Sequence, residues 1–118
     1  MNKISKDLIV EKKMDKLTIN LEDYVFIPVR RLGGGNGYFI AKVTDTLERG
    51  IYGIRRLGYF SNKSGTYSFT EDKKFLIIKE SELIVPGQEG HEITTQLLKD
   101  YLEIKSELLN YSINGNII

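Results

Sequence analysis

The chain has 118 residues, of which 41% are hydrophobic and 28% charged, and its net charge is +1. Such a chain suits one soluble domain, so we expect residues 1–118 to share one core. The absence of cysteine excludes disulfides, thiolate metal sites and cysteine nucleophiles. The start lacks the apolar core of a signal peptide, and no run approaches the roughly 20 apolar residues of a membrane span, so we expect a cytoplasmic protein.

The charges are distributed unevenly along the chain. Residues 1–79 hold 15 Lys and Arg against 9 Asp and Glu, whereas residues 80–118 hold 2 against 7. A basic body with an acidic tail points to partners or to self-association. The alternative is that the tail packs beside the body and neutralises it.

The first two thirds of the chain show the patterns of β-structure. Residues 1–16 form a lysine-rich segment, which we interpret as a basic arm or a short strand at Leu8–Val10. Residues 17–86 hold short apolar and β-branched stretches separated by glycine and asparagine, which is typical of an antiparallel β body. Pro28 cannot donate to a ladder, so it should lie at a sheet edge or a bulge. The candidate strands are Leu17–Leu21, Tyr24–Arg31, Tyr38–Thr44, Gly50–Arg56, Thr66–Thr70 and Lys74–Lys79, followed by a short apolar stretch at Leu83–Val85.

The pattern then changes to that of a helix, which we place at residues 91–112. Apolar residues recur there at intervals of three and four, as on one face of an amphipathic helix, with Thr94 or Thr95 as its N-cap. The predicted fold is mainly β with one C-terminal helix (α+β). We expect a small antiparallel SH3-like barrel or a strongly curved sheet, capped by that helix. The apolar stripe comprises Ile93, Leu97, Tyr101, Ile104 and Leu108.

One basic pentapeptide occurs twice, as VRRLG at Val29–Gly33 and IRRLG at Ile54–Gly58. If the strands that end there are the first and third of a meander, both arginine pairs lie at one end of the sheet, roughly 10 Å apart. Adjacent strand residues point to opposite faces. This predicts an arginine cluster with Arg30 and Arg55 on one face and Arg31 and Arg56 on the other.

Such a cluster is suited to binding anions. Guanidinium groups bind phosphates and carboxylates bidentately, and the glycines beside Asn36, including Gly34 and Gly35, let backbone amides approach a ligand closely. The ligand would be a nucleotide, a nucleic-acid backbone or an acidic protein surface. The alternative is a plain hairpin turn at Asn36-Gly37, with the arginines paired to the tail's own glutamates.

Little else in the sequence indicates catalysis. The GGGNG run lacks the Gly-Lys-Ser/Thr ending of a P-loop and is followed by a strand. His91 is the only histidine, and its position at a helix start favours an exposed capping role over catalysis. No Asp/Asn loop has calcium-binding spacing. We therefore predict no catalytic residue, no metal site and no cofactor.

Tyrosines lie among the arginines, notably Tyr38, Tyr52 and Tyr59. Aromatic and basic residues together suit oligonucleotide binding, and they are also favoured anchors in protein interfaces. The sequence pI of about 7.9 favours a protein partner over nucleic acid.

The segment LEDYVFIPVRRLGGGNGYFIAKVTD (Leu21–Asp45) resembles the opening of some immunity proteins of bacterial polymorphic toxin systems. The resemblance implies a single-domain, non-catalytic inhibitor that plugs the active site of a toxin. Phage-encoded inhibitors of bacterial defence share this size and lack of motifs and belong to the same interpretation. The matching residues are Asp23, Val25, Phe26, Ile27, Pro28, Gly37, Tyr38, Ala41 and Val43.

Three hypotheses follow. The first is a non-catalytic protein that occludes a partner protein, either through the arginines and their neighbours or through the acidic helix face. The second is a small nucleic-acid- or nucleotide-binding β-barrel that uses the same arginines on phosphates. The third is a homo-oligomer that joins basic body to acidic tail. The candidate contact residues are Arg30, Arg31, Gly34, Gly35, Asn36, Tyr38, Tyr52, Arg55, Arg56 and Tyr59.

Overall fold

The computed structural model describes residues 18–30, 36–69 and 71–113, and it shows an antiparallel sheet followed by a helix. The sheet has the order β1-β2-β3-β4, and β5 also pairs with β3. This confirms the predicted mainly β fold with a C-terminal helix. The elements are β1 (Tyr24–Val29), β2 (Gly37–Thr46), β3 (Ile51–Ser61), β4 (Thr66–Ser68), β5 (Leu76–Lys79), a 3₁₀ helix (Glu80–Glu82) and α1 (Ile93–Ile113).

The first three strands form the meander that was assumed in placing the arginine pairs, with β2 antiparallel between β1 and β3. Pro28 lies on β1, the terminal strand, as its missing N–H requires. The strand predicted at Leu17–Leu21 is wrong for residues 18–21, where the backbone is irregular and a turn begins at Leu21. There the Asp23 carboxylate accepts the Asn20 N–H at 2.8 Å, a local bond that competes with ladder formation. The predicted arm at 1–16 lies outside the described residues.

The sheet is curved and open. β4 pairs with the second half of β3 and β5 with its first half. After the 3₁₀ helix, Ile84 makes a single bridge to β1, with two 2.8 Å hydrogen bonds that join it to Phe26. One bridge does not extend the ladder into a closed barrel. Of the two architectures expected, the curved sheet with a helix is therefore the one observed.

Apolar side chains are buried on both faces of the sheet. The helix face is the face that α1 covers with Leu97 and Tyr101. The other, which we call the far face, is covered in part by Ile19 and Leu83 from the flanking segments. The helix face buries Phe26, Ile40, Leu57, Phe60 and Ile84 with the helix residues, and the far face buries Val25, Ala41, Val43, Tyr52 and Ile54.

The apolar stripe of α1 is only partly used. Leu97 and Tyr101 are buried, whereas Ile93 is 53% and Leu108 41% exposed. In the described residues, no helix is long and apolar enough to cross a bilayer.

The N-cap prediction is wrong, because α1 begins at Ile93 and so includes both Thr94 and Thr95. The buried hydroxyl of Thr94 instead accepts the Gly87 N–H at 2.9 Å and donates to the His91 carbonyl at 2.7 Å. It thus fastens the loop before the helix to the first helical turn.

Candidate functional site

The arginine cluster expected from the repeated pentapeptide does not form. Tyr24, Lys42 and Arg55 lie side by side across β1, β2 and β3. Arg30 is six residues beyond Tyr24, which places it about 20 Å along the strand direction from Arg55. The prediction assumed that each Arg-Arg pair closes a strand. Instead, β3 continues for five residues past Arg56, to Ser61, because Leu57 and Phe60 are core residues of the helix face.

The candidate residues of the β1–β2 hairpin are only partly described. Arg31, Gly34 and Gly35 lie outside the described residues. Arg30 and Asn36 are exposed at the hairpin base, and the Asn36 carbonyl accepts the Asn62 N–H at 2.9 Å. The described end of this hairpin, at Asn36, thus lies beside the β3–β4 turn and not beside Arg55 or Arg56.

Tyr38 makes a contact that joins the sheet to the start of the helix. Its hydroxyl lies 2.9 Å from His91 Nδ1, and its ring is edge-on to those of Phe26 and His91. His91 is half-buried, so the expectation of an exposed capping residue is corrected: its ring belongs to the packing between β2 and the helix start. The contact pairs residues 53 positions apart, which no local pattern indicates.

Tyr52 is a core residue of the far face. Its buried ring packs with Ile54 and Leu83, and its hydroxyl donates to Glu80 Oε1 at 3.0 Å. Burial first, and then the hydrogen bond and charge of Glu80, raise the pKa of Tyr52. This side chain therefore ties β3 to the 3₁₀ helix.

Arg55 and Arg56 pair with acidic residues of the β4–β5 connection. Arg55 Nη1 lies 3.6 Å from Glu71, and Arg56 Nε donates to Asp72 Oδ2 at 2.6 Å. The Asp72 N–H also donates to the Arg56 carbonyl at 3.0 Å, so these two residues bind each other twice. The expectation that the tail's glutamates pair with these two arginines is thus wrong, because residues 71–72 fold back along β3.

A bulge in β3 brings Arg56 and Tyr59 to the same face. Ala41 pairs with Arg56 and its neighbour Ile40 with Gly58, which leaves Leu57 as an extra residue. Leu57 and Gly58 both lie towards the helix face, and Tyr59 then returns to the far face with Arg56. In a regular strand, residues three apart point to opposite faces, so simple alternation would place Arg56 and Tyr59 on different faces.

The result is a patch on the far face formed by Phe39, Arg56 and Tyr59, the aromatic–arginine patch. The Arg56 guanidinium lies 4.8 Å from the centroid of the Phe39 ring, and the Phe39 and Tyr59 rings are 5.1 Å apart. The Tyr59 ring extends over Gly37, where a Cβ atom would overlap it. All three side chains are half-buried, so the patch is both accessible and held by its neighbours.

The structure thus brings together two predicted site residues, Arg56 and Tyr59, and adds Phe39. The positive charge of Arg56 is balanced by Asp72. Among the described residues, no group of three His, Asp or Glu side chains is arranged to hold a metal ion. Comparison of the chain with protein-family models, curated proteins and solved structures finds no match. The resemblance to immunity proteins therefore stays a prediction.

Proposed function

We propose that this protein is a non-catalytic binding protein that acts by occluding a partner protein, with the aromatic–arginine patch as its contact surface. The observation that carries the proposal is that the Arg56 guanidinium lies over the Phe39 ring while the Tyr59 ring packs against Phe39 at a tilt, so that the three side chains form one patch. Tyrosine and arginine are among the residues most enriched in the hot spots of protein interfaces, where a few residues supply most of the binding energy.

The ion pair with Asp72 supports a protein partner over a phosphate ligand. It occupies Arg56 Nε and neutralises the charge that a phosphate would need. It also holds the guanidinium over Phe39, so that binding costs little side-chain entropy. The terminal N–H groups of Arg56 then suit a carbonyl or carboxylate of the partner, while the two rings suit an apolar side chain.

An inhibitor of a toxin or of a bacterial defence protein fits this mode of action. Such a protein needs a rigid surface that blocks another protein's site. The sheet provides this rigidity, since β1, β2 and β3 are paired along the patch. The identity of the partner rests on the resemblance at Leu21–Asp45.

The proposal is tested with tagged protein as bait in native lysate, with nuclease added to one half. We expect one protein at stoichiometric recovery from both halves. Arg56→Glu and Tyr59→Ala should each weaken its binding at least about tenfold. Arg49→Glu, an equal charge change at an exposed residue between β2 and β3, should leave binding unchanged.

Two outcomes overturn the proposal. Recovery that depends on nucleic acid favours the phosphate-binding hypothesis. The contact lies elsewhere on the molecule if the Arg49 and Arg56 variants bind equally well and each unfolds at the same temperature as the unmodified protein.

A further inference from the structure

Among the described residues, the outer edge of β5 has no pairing strand, and this edge is apolar. β5 pairs with β3 on one side, and within the described part of the chain no strand pairs with its other side. Phe75 is 53%, Leu76 41% and Ile77 66% exposed. Edge strands of soluble proteins are usually protected by charges, proline or a covering element, because an exposed apolar edge pairs with other chains.

The hydrogen bonds of β5 show which of its backbone groups point outward. The Glu80 N–H donates to the Gly50 carbonyl at 2.8 Å, on the side of β3. Since backbone groups alternate between the two sides of a strand, Leu76 and Ile78 also bond towards β3. Phe75, Ile77 and Lys79 then direct their N–H and C=O groups away from the sheet. The Lys79 N–H makes a long contact, 3.5 Å, with Glu82 Oε2.

We propose that β5 pairs antiparallel with β5 of a second copy, across a two-fold axis at Ile77. In an antiparallel pair, residues that bond to each other must both direct their backbone groups towards the partner. An axis at Ile77 satisfies this condition, because Ile77 then faces Ile77 and Phe75 faces Lys79. The two sheets would thereby join into one.

The charges of the edge favour this register over its neighbours. An axis at Ile77 sets Lys74 opposite Glu80 of the other copy, twice by symmetry. An axis at Leu76 sets Lys73 opposite Lys79, which places like charges together. An axis at Ile78 would set Phe75 opposite Ser81 and Lys74 opposite Glu82, and both partners lie in the 3₁₀ helix beyond Glu80, whose N–H still bonds towards β3.

The side chains also match in this register. Every second side chain of β5 lies on the same face, which holds Phe75, Ile77 and Lys79. Phe75 of one copy therefore packs against the aliphatic stem of Lys79 of the other. A net charge of +1 gives two copies little reason to repel each other. The proposal goes beyond the proposed function, because the interface involves β5 and not the patch residues.

Sedimentation equilibrium of the full chain tests the proposal. We expect a monomer–dimer equilibrium whose mass rises towards twice the chain mass as the concentration increases. Ile77→Lys should abolish it and leave the fold intact, since residue 77 is exposed. A monomer at every concentration would overturn the proposal, including the case in which another part of this chain covers the edge. A dimer unaffected by Ile77→Lys would overturn it as well.

Charge exchange tests the register. Lys74→Glu should weaken the dimer about tenfold, because two attractive pairs become repulsive. The matched control is Lys73→Glu, since residue 81, its counterpart in this register, is an uncharged serine of the 3₁₀ helix, and the change should affect dimerisation little. Tighter dimerisation of the Lys73 variant would instead show the axis at Leu76 and refute the one at Ile77.

The lack of native cysteine allows a direct check by crosslinking. Ile77→Cys lies on the proposed axis, where paired strands bring Cα atoms to about 5.5 Å, within disulfide range. It should oxidise to a covalent dimer, whereas Lys63→Cys, in the exposed β3–β4 turn, should not. Equal crosslinking of both variants would contradict the axis.

Discussion

The ring of Tyr101 on α1 lies against Gly58 of β3. A Cβ atom at residue 58 would lie 2.9 Å from Tyr101 Cε1 and 2.6 Å from the Ser68 carbonyl oxygen, closer than packed atoms approach. The helix can reach the sheet here because residue 58 has no side chain. The stack of Tyr101 on Phe69, 5.0 Å between ring centroids, and the bond from its hydroxyl to the Leu57 carbonyl depend on this approach.

We expect Gly58→Ala to lower the free energy of unfolding by about 2–3 kcal/mol, the upper range for an overpacked core. Gly53→Ala is the matched control on the same strand. Its Cβ would meet only the side chains of Thr44 and Asp45, at 3.2–3.4 Å, so it should cost less. Urea unfolding of both variants checks this. Equal losses of unfolding free energy would show that the helix moves away and accommodates the methyl group at residue 58.

A second prediction concerns alkaline pH. Burial raises the pKa of Tyr67 to about 12, with a further contribution from the Asp100 carboxylate, and burial likewise raises the pKa of Tyr101 to about 12. These phenols keep their protons in the folded chain at a pH where the unfolded chain loses them, near pH 10. Their stabilisation is therefore complete below about pH 10 and is lost as the pH rises towards 12.

Urea unfolding between pH 8 and 11.5 should show this decline. The decline in stability should be shallower in the double variant Tyr67→Phe/Tyr101→Phe, which removes both hydroxyl groups and keeps both rings. Because lysines also titrate in this range, the comparison between the two proteins, rather than the decline itself, is decisive. Parallel curves would contradict the assignment.

The hydrogen bond between Tyr38 and His91 provides a third prediction. In a double-mutant cycle of Tyr38→Phe and His91→Ala, we expect a coupling of about 0.5–1.5 kcal/mol, typical of one intramolecular hydrogen bond. The control cycle pairs Tyr38→Phe with Gln96→Ala. Gln96 is exposed and bonds to Asp100, so this cycle should show no coupling. Coupling no larger than in this control would indicate that His91 is placed by the neighbouring turn alone.

The fold was more predictable from the sequence than the site. Strand alternation and the intervals of three and four in the helix are local signals, and they placed most of the strands, including β5, and the helix at nearly the right residues. The order of the strands was an assumption, because local patterns do not carry it. Pro28 was expected at an edge or a bulge, and it lies on β1, at the end of the strand order. The irregular segment at residues 18–21 was missed because alternation of Ile19 with polar neighbours also suits a single buried anchor in a loop.

The candidate site depended on relationships that local patterns do not carry. The bulge at Leu57 reverses the alternation of β3 and sets Arg56 and Tyr59 on one face. A signal was present: Gly58 follows Leu57, and glycine within a strand often marks a bulge or a close approach. The partners Glu71 and Asp72 depend on how the β4–β5 connection returns along β3, which is a tertiary property.

The last prediction separates two arginines that adjoin in sequence. Arg56 makes a 2.6 Å ion pair and lies over Phe39, whereas Arg55 makes a 3.6 Å ion pair and its side chain is 43% exposed. Lysine keeps the charge but loses the planar fork and most of the stacking. Arg56→Lys should therefore cost about 1 kcal/mol of unfolding free energy, and Arg55→Lys less than about 0.5 kcal/mol.

Thermal and urea unfolding of the two variants at low and high salt measure this difference. Stacking on Phe39 is less sensitive to salt than an exposed ion pair, so the excess cost at Arg56 should persist at high salt. Equal costs for the two variants would mean that Phe39 and Asp72 do not hold the guanidinium in place. The aromatic–arginine patch would then lose the rigidity on which its role as a binding surface depends.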